Sequence, residues 1–513
     1  MAREGTGTRF HPLDFVLLVA PAFSTPLLVW AENLIGVGHP ERLIVIGAMA
    51  WLAAALVLVL MRASGVGRAA SLFVVWVGTY VVMRGGTLPV SYGFLLAGVG
   101  LGAALGIGAL LISRRSATRL VGLLVVASAL LVIEVVLGLY SSVSTLGPDR
   151  TQSSPDAIDL DLHSTPDIVL VVTDAYVGIE GQAEFFDAGI ERHRSLGERG
   201  FWIPALAFSP YASTNAALPA ILDFDYPIMG GLGITPATNQ SLYERVGGGN
   251  RLVSTLGDNG YEVTMIESGW SGSSCGSRVD TCVASAFVDE SVFLALEKTW
   301  FGSLVLARGG YAFTAGARHS MDWLSGHAAE LTHNDKPDLV MAHLEIPHPP
   351  FFLDEQCQLV VTSDRGGVTL RSSRVSEEQR KTYYLEQAAC VNRFVEHMTE
   401  GLAEETIVLV TGDHGSDLHH QMAMHPGEWS DDAILERLNV MFALRAPEAC
   451  RPEEPVLVTE AFRSVLSCLS GTEFPPLDPR MFIYAGIEFD GEASPVLEVS
   501  PERVESLLGA VGQ

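Results

Sequence analysis

The chain has 513 residues, a mean hydropathy of +0.29 and a net charge of −27. At about 150 residues per domain this length allows about three units, and so apolar a composition calls first for a search for membrane spans. Charge is unevenly divided: residues 1–150 carry ten Arg and six acids, whereas the remaining 363 carry 22 basic and 53 acidic residues, a net of −31. That acidity excludes a nucleic-acid binder, which needs a basic face for the phosphate backbone, but it suits solubility and can surround a divalent cation.

Five apolar runs open the chain: Phe15–Ala31, Leu43–Met61, Ala69–Met83, Tyr92–Ile112 and Leu120–Tyr140. A helix needs about 20 apolar residues to cross the hydrocarbon, with a lower limit near 17. Runs two, four and five meet this, run one carries Pro21 and Pro26, which spanning helices tolerate, and run three is short. Charge decides the count. With five spans and the N-terminus inside, the inner segments hold Arg3, Arg9, Arg62, Arg68, Arg114, Arg115 and Arg119, and the outer loops only Arg42 and Arg84. That bias obeys the positive-inside rule, and omitting run three would break it. Gly98, Gly102 and Gly106 mark one face of run four for close helix packing. Glu134, inside run five, reads as an interfacial or paired acid. The expectation is a five-span transmembrane domain over 1–140, with everything after Tyr140 outside the cytoplasmic membrane.

Residues 141–166 are polar and rich in turn formers, and are read as a linker. From 167 to 513 the pattern changes. Short β-branched runs at Asp167–Thr173, Glu262–Ile266, Asp338–His343, Thr406–Thr411 and Asn439–Leu444 alternate with helical stretches such as Ser241–Leu256 and Glu377–Glu400. This alternation predicts an α/β domain, a mostly parallel sheet between helices. Ligands of such sheets bind beyond the carboxyl ends of the strands. All six cysteines lie in this part and none forms C-x-x-C, which points to disulfides in an oxidising compartment. Sequence neighbours suggest Cys275–Cys282, Cys357–Cys390 and Cys450–Cys468, with other connectivities left open.

Three strand ends carry acids or histidines. The first run ends V-T-D-A-Y at Asp174; the third continues H-L-E-I-P-H-P-P-F with His343, Glu345 and His348; the fourth ends V-T-G-D-H-G with Asp413 and His414. His425 follows in M-H-P-G-E-W. Carboxylate and imidazole together suit Zn²⁺ or Mn²⁺, with Mg²⁺ or Ca²⁺ also open. In Y-A-S-T-N-A-A-L-P, Ser213 or Thr214 begins a helix, where the dipole and unpaired N–H groups favour an anion. A cation there would turn the hydroxyl into a nucleophile and stabilise a transferring phosphoryl or sulfuryl group.

This ordered set resembles the sulfatase and alkaline phosphatase superfamily over roughly residues 165–450. With the membrane anchor it is most similar to the branch containing lipoteichoic acid synthases and phosphoethanolamine transferases. The resemblance implies Asp174, Thr214, Asp413 and His414 as metal ligands, Thr214 as nucleophile, and His348 and His425 against the substrate anion or a second metal. Two departures matter. The C-x-P-S-R or S-x-P-S-R motif of formylglycine sulfatases is missing from S-T-N-A-A, so phosphoester chemistry through Thr214 is favoured, and Asp174-Ala175 stands where many sulfatases have paired acids. The expected protein is an envelope enzyme, a membrane-anchored metal-dependent phosphoester transferase or hydrolase acting on a lipid-linked or envelope substrate. The alternatives are a sulfate-ester hydrolase without formylglycine and a non-catalytic binding module.

Overall fold

The computed structural model describes residues 11–32, 39–84, 114–145, 155–231, 233–300, 311–330, 336–360, 375–484 and 495–509. The chain forms two compact units, Met1–Gly147 with Glu290–Ala307, and Pro148–Asp289 with Arg308–Gln513.

In the first unit, α1 (Pro12–Leu17) and α2 (Val19–Glu32) form a nearly continuous helix, followed by α3 (Pro40–Ala63), α4 (Arg68–Arg84) and α5 (Arg114–Thr145). Three stretches are long and apolar enough to cross a membrane: Pro12–Ala31, Pro40–Ala63 and Thr118–Ser141. Five were expected. Run three forms the 17-residue α4, at the lower limit for a span, and run four, with its glycines, lies outside the described residues. The described part therefore holds three helices of spanning length and apolarity, not five. Side-chain contacts fix their directions. Arg68 pairs with Asp14, Thr25 donates to the Met83 carbonyl, and Trp76 Nε1 donates to Ser128 Oγ at 3.0 Å. Hence α2, α4 and α5 run the same way. Glu134 pairs with Arg84, the paired acid expected. Trp51 Nε1 donates to the Phe15 carbonyl at 2.9 Å, while Leu43 packs with Val29, so α3 runs against the others. The short helix Glu290–Glu297 sets Leu294 and Ala295 on Val29, Trp30, Leu43 and Ile46, at one end of this bundle.

In the second unit the main sheet comprises β1 (Ile168–Asp174), β2 (Glu262–Ile266), β3 (Thr281–Val283), β4 (Asp338–Pro347), β5 (Ile407–Gly412) and β6 (Phe442–Arg445), ordered β3-β2-β4-β1-β5-β6. All neighbours are parallel except β5 and β6. The mostly parallel sheet predicted from sequence is present. Alternation along β1 divides the core. Val169 and Val171 join one cluster with Leu324, Val391 and Val395, from α9 (Tyr311–His327) and α10 (Glu377–Glu400). Ile168, Leu170 and Val172 join the other with Leu218, Leu252 and Leu256, from α6 (Thr214–Asp223) and α8 (Arg251–Asp258). Each such fully buried side chain contributes about 1.5–3 kcal/mol of transfer free energy. That double burial makes β1 the rigid centre from which Asp174 projects.

The helix expected over Ser241–Leu256 is two helices, α7 (Pro236–Val246) and α8. Gly247, Gly248 and Gly249 interrupt it, Gly248 at φ 103°, and Asn250 caps α8 by accepting the Val253 N–H at 2.9 Å. Glu377–Glu400 is helical as predicted, closed at its start by a Ser376–Gln379 capping box. The later part of the expected linker lies on this unit: Ile158 N–H donates to Thr255 Oγ1 at 3.0 Å and His163 N–H to the Leu469 carbonyl at 2.8 Å. Disulfides join Cys275–Cys282, Cys357–Cys390 and Cys450–Cys468, the neighbouring pairs suggested by sequence.

Candidate active site

The register of β4-β1-β5 brings the strand-end residues together. Val172 lies level with His343 on one side and Thr411 on the other, and Thr173 with Gly412, so Asp174 and Asp413 emerge from adjacent strand ends. The turn after β1 is pinned. Ala175 adopts φ 62°, unusual for a residue with a Cβ. Its N–H donates to Asp413 Oδ1 at 3.0 Å, and Tyr384 of α10 donates to its carbonyl at 2.9 Å. The turn after β5 is equally tight. A Cβ on Gly415 would stand 1.9 Å from the Glu436 carbonyl oxygen, so only glycine fits.

His414 is the hub. Its Nδ1 lies 2.8 Å from the Gly415 carbonyl, which can only accept, so Nδ1 carries the hydrogen and the neutral ring offers a lone pair at Nε2. That Nε2 is 3.2 Å from Thr214 Oγ1, 3.4 Å from Asp174 Oδ1 and 3.5 Å from Asp413 Oδ2. Burial holds the His414 pKa well below the ordinary range. Burial also raises Asp174 to about 7. Asp413 is pushed to about 8 by burial and by Asp174, against the pull of the Thr214 hydroxyl and the Ala175 and His414 amides. Asp174 Oδ1 and Asp413 Oδ2 have no hydrogen-bond partner. Two buried carboxylate oxygens, an imidazole nitrogen that carries no hydrogen and a hydroxyl thus lie together. This is the donor set a divalent cation takes, and the unpartnered oxygens are what such an ion would satisfy.

The four residues that the resemblance implied as ligands converge. Thr214 occupies the first position of α6, after Ser213 as N-cap. His348 sits beside them: its N–H donates to the Asp174 carbonyl at 3.0 Å, its Nδ1–H to the Pro349 carbonyl at 2.6 Å, and burial and Arg437 lower its pKa. His425 is exposed, its Nδ1 accepting the Gly427 N–H at 3.1 Å.

Two residues here were given no role from sequence. His343, named there among the strand-end histidines, is buried, and it places a ring nitrogen within 4.8 Å of a carboxylate oxygen from each of Asp174 and Asp413. Burial drives its pKa down to about 3, keeping it a neutral donor of a lone pair. Arg437, on α11 (Asp431–Leu438), is buried and ties two loops together. Its Nε donates to the Ala212 carbonyl at 2.7 Å, Nη1 to the Gly415 carbonyl at 3.0 Å, and Nη2 to His414 Nε2 at 3.2 Å. Its neighbour Glu436 accepts from Ser416, from the Leu418 and His419 amides, and from the His419 ring, which fixes the chain beyond D-H-G. A second grouping, Glu267 with Cys275 and Cys282, offers no thiolate because the cysteines are bonded to each other.

The sulfatase family model matches residues 166–459, more than half of the chain, and the protein belongs to the sulfatase family. Members of the family are generally metal-dependent. None of the curated proteins matches the chain in sequence. Similar solved structures include the C-terminal periplasmic domain of EcEptC from Escherichia coli, at 11% identity over 68% of this chain and 96% of that one, TM-score 0.41. The soluble domain of lipooligosaccharide phosphoethanolamine transferase A from Neisseria meningitidis matches at 13% identity over 61% and 90%, TM-score 0.40. The phosphonate monoester hydrolase of Agrobacterium radiobacter matches at 11% identity over 64% and 82%, TM-score 0.42.

Proposed function

We propose that this protein is a membrane-anchored, metal-dependent phosphoester transferase or hydrolase that works outside the cytoplasmic membrane with Thr214 as nucleophile. The observation that carries the reading is the convergence of Asp174, Asp413 and Thr214 on Nε2 of His414, all within 3.5 Å of it. In this reading Asp174, Asp413, His414 and Thr214 hold one divalent cation, Zn²⁺ or Mn²⁺ by donor type. When bound, the cation lowers the hydroxyl pKa and offsets charge on the transferring group.

The chain's own residues do the rest. Thr214 Oγ1 stands at the α6 N-terminus, where unpaired N–H groups and the helix dipole favour negative charge on oxygen and on the phosphoryl group. Oγ1 forms a bond to phosphorus as the bond to the leaving alcohol breaks. His348, neutral with its hydrogen on Nδ1, takes the hydroxyl proton at Nε2, and the departing oxygen takes its proton from solvent. Water or an acceptor alcohol then attacks the phosphothreonine by the reverse proton path. His425, exposed on its turn, keeps only a contact to the outer part of the substrate. Phosphoester rather than sulfate-ester chemistry is favoured because S-T-N-A-A carries no formylglycine motif.

A lipid-linked or envelope substrate gives the anchor its purpose, since tethering raises the local concentration of site and substrate. The test is Thr214→Ala in purified full-length protein. Aryl phosphodiester turnover is expected to fall at least 10³-fold, the scale for removing a nucleophile, with bound metal retained. Unchanged turnover, or faster turnover of an aryl sulfate, overturns the reading.

A further inference from the structure

The two buried imidazoles of the site are held in different ways. His414 is oriented by the hydrogen bond from Nδ1 to the Gly415 carbonyl. His343 is equally buried, yet neither ring nitrogen has a hydrogen-bond partner. Imidazoles that bind metals are ordinarily oriented by a hydrogen bond at the other nitrogen; here packing has to do it. The aromatic neighbour of His343 is Trp270, with ring centroids 5.7 Å apart and planes at 68°.

Trp270 is itself fixed from several sides. It follows β2 in the loop that returns to β3, and its indole meets Tyr243 of α7 edge to face at 5.2 Å. Gly272 lies so close that a Cβ there would stand 2.3 Å from the indole. Ser268 Oγ accepts the Trp270 N–H at 3.1 Å, and Ser273 Oγ donates to the Trp270 carbonyl at 2.8 Å. Behind the loop, a Cβ on Gly316 of α9 would stand 2.0 Å from the Ser268 carbonyl oxygen. The Cys275–Cys282 disulfide closes the loop onto β3, and Glu267 accepts the Cys275 and Ser285 amides at 3.0 and 3.2 Å. So many constraints on a loop at the carboxyl edge of the sheet are more than chain connection needs.

We infer that Trp270 is a positioning residue: its indole holds the His343 ring so that one nitrogen serves as a further cation ligand beside Asp174 and Asp413, and the Cys275–Cys282 loop keeps the indole in place. The inference rests on the cation-binding reading of the site. It adds a ligand that the ordered sequence motifs did not supply, and it makes cation affinity depend on a side chain that touches neither cation nor substrate.

The experiment is calorimetric titration of Zn²⁺ into chelator-stripped full-length protein in detergent, for wild type, His343→Ala, Trp270→Ala, Trp270→Phe and the His343→Ala/Trp270→Ala double variant. Trp270→Ala is expected to weaken the Zn²⁺ Kd about 10–100-fold, the scale for losing an orienting partner, and Trp270→Phe to restore most of it. The double variant is expected to be no weaker than His343→Ala alone, because Trp270 acts through His343. A Cys275→Ser/Cys282→Ser variant is expected to reproduce part of the Trp270→Ala loss. Melting of each variant in chelator separates loss of affinity from loss of fold. If wild type binds Zn²⁺ and Trp270→Ala binds it equally well, or if the two losses add in the double variant, the inference is overturned. If wild type binds no Zn²⁺, the underlying reading fails first.

Discussion

Replacing Asp413 with asparagine is expected to stabilise the cation-free protein at neutral pH while destroying its response to metal. In the unfolded chain Asp413 titrates near 3.8; buried beside Asp174 it titrates near 8. Between those values the folded state binds more protons than the unfolded state, so its stability falls as pH rises. At roughly 1.4 kcal/mol per pKa unit, the penalty for one such group at pH 7.5 is of order 5 kcal/mol. Asp174 lies in the same field, so the two penalties do not add. Asparagine keeps an oxygen for the Ala175 and His414 amides, now at 3.0 and 2.7 Å, but removes the buried charge. The expected gain is therefore of order 2–5 kcal/mol at pH 7.5, vanishing near pH 4. The assay is thermal melting of full-length protein in detergent and chelator from pH 4.5 to 8, with and without Zn²⁺. Wild type should lose stability with rising pH and regain it with Zn²⁺, most strongly at pH 8; Asp413→Asn should show a flatter profile and no Zn²⁺ gain. Parallel wild-type and variant profiles would refute the claim that this carboxylate is held raised for a cation.

Two further outcomes follow from the loops around the site. Gly415→Ala places a Cβ 1.9 Å from the Glu436 carbonyl oxygen and 3.0 Å from that of Asn439; both are backbone atoms, so a loss of about 3 kcal/mol or more is expected in melting, and a variant as stable as wild type contradicts the turn geometry. Arg437→Met frees the Ala212 and Gly415 carbonyls that the guanidinium joins at 2.7 and 3.0 Å. Because a misplacement of about 1 Å can cost about 10²-fold in rate, kcat on an aryl phosphodiester should fall on that scale while Arg437→Lys recovers little; equal kcat in all three proteins would exclude this role.

Much of the fold and part of the site were legible in the sequence, for physical reasons. β1 and β5 are apolar, mostly β-branched runs because both faces are buried, and a charged residue at the end of such a run has nowhere to lie but the sheet edge. That makes Asp174 and Asp413 visible. Thr214 was visible because a hydroxyl before an Ala- and Leu-rich stretch marks a helix start. The cysteine pairs were suggested only by being neighbours in sequence, at separations of 7, 33 and 18, with other connectivities left open. His343 was not recognised as part of the ligand group: it lies inside an apolar strand, and only the registers of β1 with β4 and β5 bring it to the carboxylates. Arg437 belongs to no motif and meets His414 from α11, 23 residues further along the chain. The break at Gly247–Gly249 was written in the sequence, but the apolar periodicity on either side masked it. His425 looked like a site residue by order and chemistry, yet its turn leaves it exposed.

The central claim is that Asp174, Asp413, His414 and Thr214 enclose a cation. It is tested most directly by elemental analysis of full-length protein purified without added metal, beside an Asp174→Asn/Asp413→Asn variant prepared identically. About one Zn or Mn per chain in wild type, falling to background in a variant that still melts cooperatively, is the predicted result. Wild type without stoichiometric metal, even after dialysis against Zn²⁺ or Mn²⁺, or a variant that keeps its metal, would contradict the account.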